Sequence, residues 1–571
     1  MLESARTLLI SCPTPLAVVV VFVFGCFALE SPPSYIPLVL LLAITRVFSS
    51  VIITSKRAIV KLTFVVVSLA AATTLGNISA VPEVQYSTAV LALFILALLA
   101  SSLATSAIFA DTYLQWNIDC ERLPLFFPAM WSTVLLIAST TSPLGYLAIW
   151  SPVRGLSAYN WMRYVLGPVG IDWTVGAWAV VVAELLAPWF TKPAEQDDLL
   201  ISTSGTSATD ETEKSQKTPR LLCMITFLCL GTIPYYFQDT LPIPVNSATT
   251  APLSVACALP YITNITRSPN FGELLQETAT LASLAKVVLW PEGAIRFDSV
   301  QAKREATKKV AKIAGGSVIG VSFEEYTNDV TRGNKGRNGL MLVDRDGMVF
   351  EYFKRHLVPF VESYAMVAYS SPPELYDYQL VTKRNSRGKA IESLTVPITG
   401  SICLDFAHPM PFNRLPRRPS LILGAARTWY PSLGVTMWEH AKARAEEVGS
   451  AVLWCDGGEQ GISGVGGRGM GGGEIVQVGP GSWVRTIGLE IEANHERTAY
   501  AFIGPWFSIA FIWLVVFAGR ISEKVVQRIR EGGSIGSTLQ GYGLIRRVLD
   551  TYRAWRRGRE INEADETTHL L

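Results

Sequence analysis

Charge is scarce in this chain. Asp, Glu, Lys and Arg make up 17% of its 571 residues, and 49 Lys and Arg offset 47 Asp and Glu to leave a net charge of +2. A nucleic-acid partner needs a basic face, and this balance argues against one. Histidine is rarer still. His356, His408, His440, His495 and His569 are the five, and none stands at metal-ligand spacing, so neither a metal nor a cofactor is expected. Eight cysteines without a Cys-x-x-Cys pair do not make a disulfide framework. Of these, Cys12, Cys26, Cys223 and Cys229 lie in apolar runs and read as lipid- or core-facing. The phosphate loop G-x-x-x-x-G-K-[ST] is missing, and no strand-like run leads into a G-x-S-x-G, so a Ser–His–Asp hydrolase has no nucleophile elbow to stand on. Gly464-Val-Gly466-Gly-Arg-Gly469 matches G-x-G-x-x-G. No helix follows it and no acidic residue stands at ribose distance, so dinucleotide binding is set aside.

What the chain has is apolar residues, at 49%, with a mean hydropathy of +0.31. They are unevenly spread. Apolar windows fall at 8–28, 35–54, 58–76, 88–110, 124–150, 172–190 and 221–237, and crossing a bilayer takes about 20 such residues. The windows at 88–110 and 124–150 are the clearest. Arg46 and Lys61 stand inside 35–54 and 58–76 and blur their ends. The first window lacks a small-x-small cleavage site and reads as a retained anchor. Residues 1–237 are therefore expected to form a membrane bundle of about seven helices, with a polar, solvated cytoplasmic loop at 191–220. Residues 499–519, rich in Trp and Phe, read as a C-terminal transmembrane helix, and 520–571 as a basic cytoplasmic tail. Between Arg520 and Arg559 the tail carries ten Lys and Arg against three Asp and Glu. Its Leu544, Ile545, Val548, Leu549, Tyr552 and Trp555 share one helical face, suited to an anionic membrane surface or to packing on the protein itself.

Residues 238–498 change character. Strand-like runs at 253–260, 287–290, 317–324, 339–344, 348–354, 395–403, 420–425 and 451–455 alternate with helical patterns at 272–285, 300–314 and 434–449. Asp346-Gly347 between two apolar runs marks a hairpin. One span separates this α/β domain from the basic tail. By the positive-inside rule the domain is then non-cytoplasmic and the N-terminus cytoplasmic. The sequons at Asn77 and Asn264 fall on the same outer side as the domain.

Three stretches carry the chemistry. Val287-Val-Leu-Trp290-Pro291-Glu292 is an apolar strand stopped by Trp-Pro, with a carboxylate at its end. Tyr352-Phe-Lys354-Arg-His356 follows the hairpin, and Gly400-Ser-Ile-Cys403-Leu-Asp405 ends a third strand. A carboxylate in reach of a thiol can take its proton, and an ammonium can hold the oxyanion that then forms and favour the thiolate. Taken singly, each residue has an ordinary explanation: an inert core cysteine, an exposed glutamate, a solvated lysine.

Together these frames resemble the nitrilase, or carbon–nitrogen hydrolase, superfamily, and more closely its membrane branch, apolipoprotein N-acyltransferase. The family's Trp-Pro-Glu-x-Ala is similar to Trp290-Pro291-Glu292-Gly293-Ala294. Its Tyr-x-Lys-x-His-Leu-Val-Pro-Phe-Gly-Glu resembles Tyr352-Phe-Lys354-Arg-His356-Leu-Val-Pro-Phe360-Val361-Glu362, and its Ile-Cys-Tyr-Glu resembles Ile402-Cys403-Leu404-Asp405. Weaker likenesses lie at Gly167 to Trp173, Thr428-Trp429-Tyr430, Ala443 to Glu446 and Gly457 to Gly464. The resemblance implies a multi-span α-helical membrane bundle plus an α/β nitrilase-like αββα sandwich domain at 238–498. It implies Glu292 as base, Lys354 as oxyanion stabiliser, Cys403 as nucleophile and Glu362 as a second, positioning carboxylate, with Asp405, His356 and Tyr352 in support.

The chain departs from the family pattern at Val361 (glycine), Leu404 (tyrosine) and Asp405 (glutamate). The first expectation is a membrane acyltransferase that moves an acyl chain from a phospholipid through a Cys403 thioester to an amine, such as a lipidated protein N-terminus. The alternatives are a nitrilase-type amidase using the same triad with water as acceptor, and a non-catalytic membrane interaction protein. A monomer is expected, in the endoplasmic reticulum or another endomembrane rather than a bacterial inner membrane.

Overall fold

The computed structural model describes residues 13–81, 86–117, 124–190, 207–237, 244–247, 249–261, 269–326, 335–359, 361–384, 390–467, 473–490 and 496–530. The chain divides into two compact units, 1–509 and 510–571.

The first unit opens with helices. They are α1 (Pro13–Ala28), α2 (Tyr35–Ile53), α3 (Ala58–Asn77), α4 (Tyr86–Asn117), α5 (Phe126–Thr141), the single turn α6 (Met162–Val165), α7 (Pro168–Phe190) and α8 (Ser207–Leu230). Their apolar residues pack on one another around Leu38, Leu42, Trp131 and Val175. Among the described residues six helices are long and apolar enough to cross a membrane: Tyr35–Ile53, Ala58–Ala80, Tyr86–Leu114, Pro168–Ala187, Pro219–Phe237 and Ala499–Ser522. Thr14–Ala28 and Phe126–Thr141 are shorter apolar helices. The broad window at 124–150 therefore shrinks to α5. Pro143 and a left-handed Gly145 (φ 56°) turn the chain out of the helix, and a Cβ at Gly145 would lie 2.4 Å from Ala407 O. Arg46, which blurred the α2 window, is buried in the bundle and paired with Asp111 of α4, so α2 runs on to Ile53.

The loop expected at 191–220 is shorter than its polarity suggested, because α8 begins at Ser207. Residues 191–206 lie outside the described residues.

Two sheets follow, built from β1 (Thr250–Cys257), β2 (Val287–Leu289), β3 (Ile295–Phe297), β4 (Val318–Glu325), β5 (Arg337–Asp344), β6 (Gly347–Phe353), β7 (Tyr376–Arg384), β8 (Ala390–Ile402), β9 (Leu421–Ala426), β10 (Ala451–Asp456), β11 (Ile462–Gly467), β12 (Glu474–Val478) and β13 (Trp483–Glu490). One sheet has the order β13-β1-β2-β4-β5-β6, with β3 also on β4, and the other β12-β11-β10-β9-β8-β7. β1, β2 and β4 run parallel, as do β8, β9 and β10. The period of two settles the layers. Val255, Val287, Leu289 and Val318 face Val396, Ile398, Leu421 and Leu423 across the two sheets. Ala256, Val288, Ile319, Val321 and Phe323 turn outward onto α9 (Phe271–Leu284) and α10 (Val300–Ala314). Trp438 and Ala441 of α11 (Pro431–Val448) cover the other sheet. The result is an αββα sandwich. An Asn270–Glu273 capping box starts α9, and a left-handed Gly449 ends α11.

A disulfide joins Cys257 at the end of β1 to Cys455 of β10, across 198 residues. No local spacing announces such a pair, because its two halves meet only when the sheets stack. The G-x-G-x-x-G match begins inside β11, not in a strand-to-helix loop.

α12 (Ala499–Arg530) runs beyond the expected end at 519 and breaks at Gly504 (φ 79°), before Pro505. Its residues from Ala510 on belong to the second unit, in which the Trp513 and Phe517 rings lie 5.8 Å apart. Residues 531–571, which include the proposed tail helix, lie outside the described residues.

Candidate active site

Residues just past the carboxyl ends of β2, β6 and β8 converge at one end of the sandwich. Trp290 stops β2 by turning outward, where its Nε1 donates to Thr278 Oγ1 at 2.8 Å. Pro291 packs against Gly457, and Glu292 N–H donates to Ala426 O at 3.2 Å. Gly293 then takes a left-handed φ of 62°, which a side chain would resist, and donates its N–H to Ser322 Oγ at 3.2 Å. These bonds turn the Glu292 carboxylate inward, 7% exposed.

Lys354 follows β6 with its N–H bonded to Asn338 O at 2.8 Å. Its side chain is 1% exposed, and its Nζ donates to Glu292 Oε1 at 2.6 Å and to the Glu362 carboxylate at 2.8 Å. Glu362 is itself held by Val358 N–H at 2.8 Å. Asn338 donates from Nδ2 to Glu292 Oε1 at 2.7 Å and to Glu362 Oε1 at 3.5 Å.

Cys403 ends β8 and opens a 3-10 turn, Cys403–Ala407. Its φ of 39° is left-handed, a conformation that a non-glycine residue adopts at a cost in strain. The thiol is buried and hydrogen-bonds to Glu292. Leu404 and Asp405 N–H stand at the start of that turn, where helical N–H groups lack partners within the turn.

Charge follows from burial. Desolvation pushes the Glu292 carboxyl up, Lys354 opposes that, and Glu362 adds to it. Desolvation and the Glu292 charge push the Cys403 thiol well up, and the pull of Lys354 does not overcome them. Burial by itself would lower Lys354, but Glu292, Cys403 and Glu362 outweigh it and hold the ammonium. The resting site is thus a thiol beside a carboxylate-bound ammonium. Lys354 does pull towards the thiolate, as the sequence suggested, but burial and the Glu292 charge outweigh it.

The supporting residues form a second cluster behind Cys403. Asp405 accepts from Tyr352 OH at 2.7 Å, from His356 N at 2.8 Å and from Arg355 N at 3.2 Å, and its Oδ1 lies 2.8 Å from His356 Nδ1. Burial opposes its charge, yet these partners hold its carboxyl below the usual range. His356 stacks on His408, with centroids 3.5 Å apart. His408 Nε2 lies 3.2 Å from Pro143 O in the loop after α5, and burial drops its imidazole to about 4.

The departures at Val361 and Leu404 cause no local strain. Val361 is exposed and outside the left-handed region, so no glycine is needed there. Leu404 is buried in the inter-sheet core.

Sequence reasoning missed Asn338, His408 and Asp456. Asp456 ends β10, accepting from Thr428 N at 2.9 Å and Thr428 Oγ1 at 2.6 Å, and so sets the loop that presents Trp429. Trp429 Nε1 donates to Ala80 O, just past α3, at 2.9 Å. Arg163 of α6 sits 3.4 Å from Glu446 and 3.8 Å from Glu447 of α11. The site's own loops therefore rest on the helical bundle. Asn338 sat unremarked before the Leu340–Val343 apolar run, and only strand pairing brings it to Glu292.

The sequon Asn77 is engaged structurally. Its Nδ2 donates to Leu29 O at 2.9 Å and Thr73 O at 2.8 Å, and its Oδ1 accepts from Ser31 N at 3.0 Å. Asn264 lies outside the described residues. Among the described residues no cluster of His, Cys, Asp and Glu is fit to hold a metal.

No protein-family profile and no curated protein matches the chain. Among solved structures the chain is similar to an amidase from Nesterenkonia sp. AN1, in an E41L mutant showing covalent addition of the acetamide moiety of fluoroacetamide at the active-site cysteine. That likeness has 18% identity over 41% of this chain and 90% of that one, with a TM-score of 0.32. It is also similar to XC1258 from Xanthomonas campestris, a CN-hydrolase superfamily protein with an arsenic adduct in the active site, at 18% identity over 41% and 90%, with a TM-score of 0.31.

Proposed function

We propose that this chain is a membrane-anchored acyltransferase in which Cys403 takes an acyl group from a phospholipid ester and passes it to an amine. The observation that carries this reading is the Lys354 ammonium clamped 2.6 Å from Glu292, with the Cys403 thiol bonded to that same carboxylate. Sγ attacks the ester carbonyl as Glu292 takes its proton. Lys354 and the N–H groups opening the Cys403 turn face the developing oxyanion. The C–O bond breaks, and Glu292 returns the proton to the leaving alcohol oxygen. An amine then attacks the thioester, the C–S bond breaks, and the proton passes through Glu292 back to Sγ. All of this needs only the chain's own residues.

Transfer from lipid is favoured over release of a soluble amide by where the site is built. His408, Trp429 and α11 meet residues that follow or join apolar helices, so an acyl donor has a short path from a bilayer. The Cys257–Cys455 disulfide supports a catalytic domain on the non-cytoplasmic side, because disulfides persist in oxidising compartments.

The test is intact-mass analysis of the purified chain after incubation with labelled phospholipid. The expected result is a hydroxylamine-sensitive acyl adduct on wild type that is absent from Cys403→Ala. No adduct with any donor, together with hydrolysis of small amides, makes the protein an amidase instead. Neither activity leaves a membrane interaction protein.

A further inference from the structure

β4 ends in two acidic residues, Glu324 and Glu325, that the triad does not use. Its outward residues Ile319, Val321 and Phe323 pack on the helices, and Glu325 on that side meets Lys303 at 2.6 Å and Arg337 at 2.8 Å. Val318 and Ser322 turn the other way, into the inter-sheet core and onto Gly293 N. Glu324 follows on that same face. In the β4–β5 register it stands directly opposite Asn338, the residue that bonds Glu292. Gly293 closes the third side, where an added Cβ would lie 3.2 Å from Glu324 Oε1. Glu324 is thus the part-exposed neighbour of a buried proposed base.

A second observation points to a ligand with N–H groups to give. Asn338 is 2% exposed, and its amide reaches into the site to bond Glu292 and Glu362 through Nδ2. Its Oδ1 has no hydrogen-bond partner among the described residues. A buried carbonyl oxygen left so is unfavourable until a donor fills it.

The charges around Glu324 set the sign of that donor. Arg427, Arg296 and Glu362 act on it, and Tyr326 hydrogen-bonds it. Arg296 is answered by Asp298 at 2.9 Å and lies 4.0 Å above the Tyr326 ring. Glu292, Glu362 and Glu324 therefore stand against Lys354 and Arg427, an acidic excess that favours a cation.

We propose that Glu324 and Asn338 form the subsite that receives the acyl acceptor as a primary ammonium; the assignment rests on the acyl-transfer reading. The ammonium donates to the Glu324 carboxylate and to Asn338 Oδ1. It loses one proton to solvent to become the free amine. As nitrogen bonds to the thioester carbon, a second proton goes to Glu292, the C–S bond breaks, and Glu292 hands that proton to Sγ. One ammonium and one thioester give one amide, one thiol and one released proton.

The full chain in phospholipid vesicles tests this with two acceptors, n-butylammonium and hydroxylamine, which is uncharged at neutral pH. In Glu324→Gln the KM for n-butylammonium is expected to rise about ten-fold, while hydroxylamine use and thioester formation stay within about two-fold of wild type. An unchanged n-butylammonium KM, or an equal loss with hydroxylamine, overturns the subsite. If Glu324→Gln does not fold, Arg427→Gln reads the same site with opposite sign. Removing the opposing cation lowers the n-butylammonium KM below wild type, and no fall overturns the proposal. If wild type forms no thioester, the acyl-transfer reading has failed. The subsite is then read alone, by whether n-butylammonium protects Cys403 from iodoacetamide in wild type and not in Glu324→Gln. Equal protection in both, or none in either, overturns it.

Discussion

Asp405 holds His356 twice: its Oδ1 accepts the His356 backbone N–H and lies within hydrogen-bonding reach of His356 Nδ1, each at 2.8 Å. The second residue after the proposed nucleophile thereby grips the second residue after the proposed oxyanion-binding lysine. Tyr352, two residues before that lysine, adds its hydroxyl at 2.7 Å. One buried carboxylate thus fixes the spacing of two strand ends that belong to different sheets.

Replacing Asp405 tests that grip. Asp405→Ala strands several buried donors, and each stranded group costs about 1–3 kcal/mol. Denaturation in detergent is expected to show a loss of that order, with thioester formation falling alongside. The Asp405 carboxyl is held below its ordinary 3.8, so its folded pKa is depressed. Its stabilising effect is full above the unfolded pKa and is lost as pH falls through the folded one. The stability gap between wild type and Asp405→Asn therefore narrows only below about pH 4. A gap constant across that range contradicts the assignment.

Glu362 is expected to shift the acid limb of the proposed reaction. The Glu292 carboxyl is raised above its ordinary 4.5 by burial, with Glu362 pushing the same way. Glu292 must be ionised to take the thiol proton, so thioester formation rises with pH through that elevated midpoint. Glu362→Gln removes an anion and relieves part of the push, moving the midpoint to lower pH. The check is a pH–rate profile of single-turnover acylation. A midpoint that stays put or moves up means that the two carboxyls are not coupled.

The disulfide is expected to stiffen the sandwich from behind the site. Cys455 Sγ lies 3.4 Å from Leu289 O, at the end of the strand that delivers Glu292. Closing a loop of 198 residues stabilises by about 5 kcal/mol on chain-entropy grounds. Cys257→Ser with Cys455→Ser should lower the unfolding midpoint. Alkylation of wild type before and after reduction should show two thiols appearing only after reduction. Both thiols free in protein taken directly from its native membrane would place the domain in a reducing compartment.

In the helical bundle, Arg46 and Asp111 are paired and buried, and the Arg46 guanidinium lies 4.8 Å from the centre of the Phe127 ring. Asp111→Asn leaves that cation without its counter-charge and should cost about 3–5 kcal/mol. Arg46→Leu with Asp111→Leu removes both charges and should recover most of the loss. A double variant as unstable as the single one assigns the pair a role beyond charge neutralisation.

The catalytic candidates were legible because each closes a strand that the sequence marks. Val287–Leu289 is a run of apolar residues stopped by Trp-Pro, and Asp346-Gly347 turns the hairpin that leads to Lys354. Strands β3, β7, β11, β12 and β13 were not legible. β11 reads Ile-Ser-Gly-Val-Gly-Gly, which looks like a loop, but a Cβ on Gly464 would lie 2.1 Å from Glu474 O of the neighbouring strand. Glycine there answers a close backbone approach that exists only once β12 is in place.

The sequence by itself nominated the residues proposed to carry the chemistry, and it marked apolar helices flanking an α/β domain. Both are local properties: a hydrophobic period, a strand-stopping proline, a charged residue after an apolar run. The tertiary structure decided the pairings. Asn338 reaches Glu292 across 46 residues, Cys257 meets Cys455 across 198, and His408 meets Pro143 across 265. It also decided the protonation of the site. A carboxylate, an ammonium and a thiol have ordinary pKa values in an open chain. Burial between two sheets pushes the thiol above the value it has in an open chain and sets it beside Glu292, the proposed base.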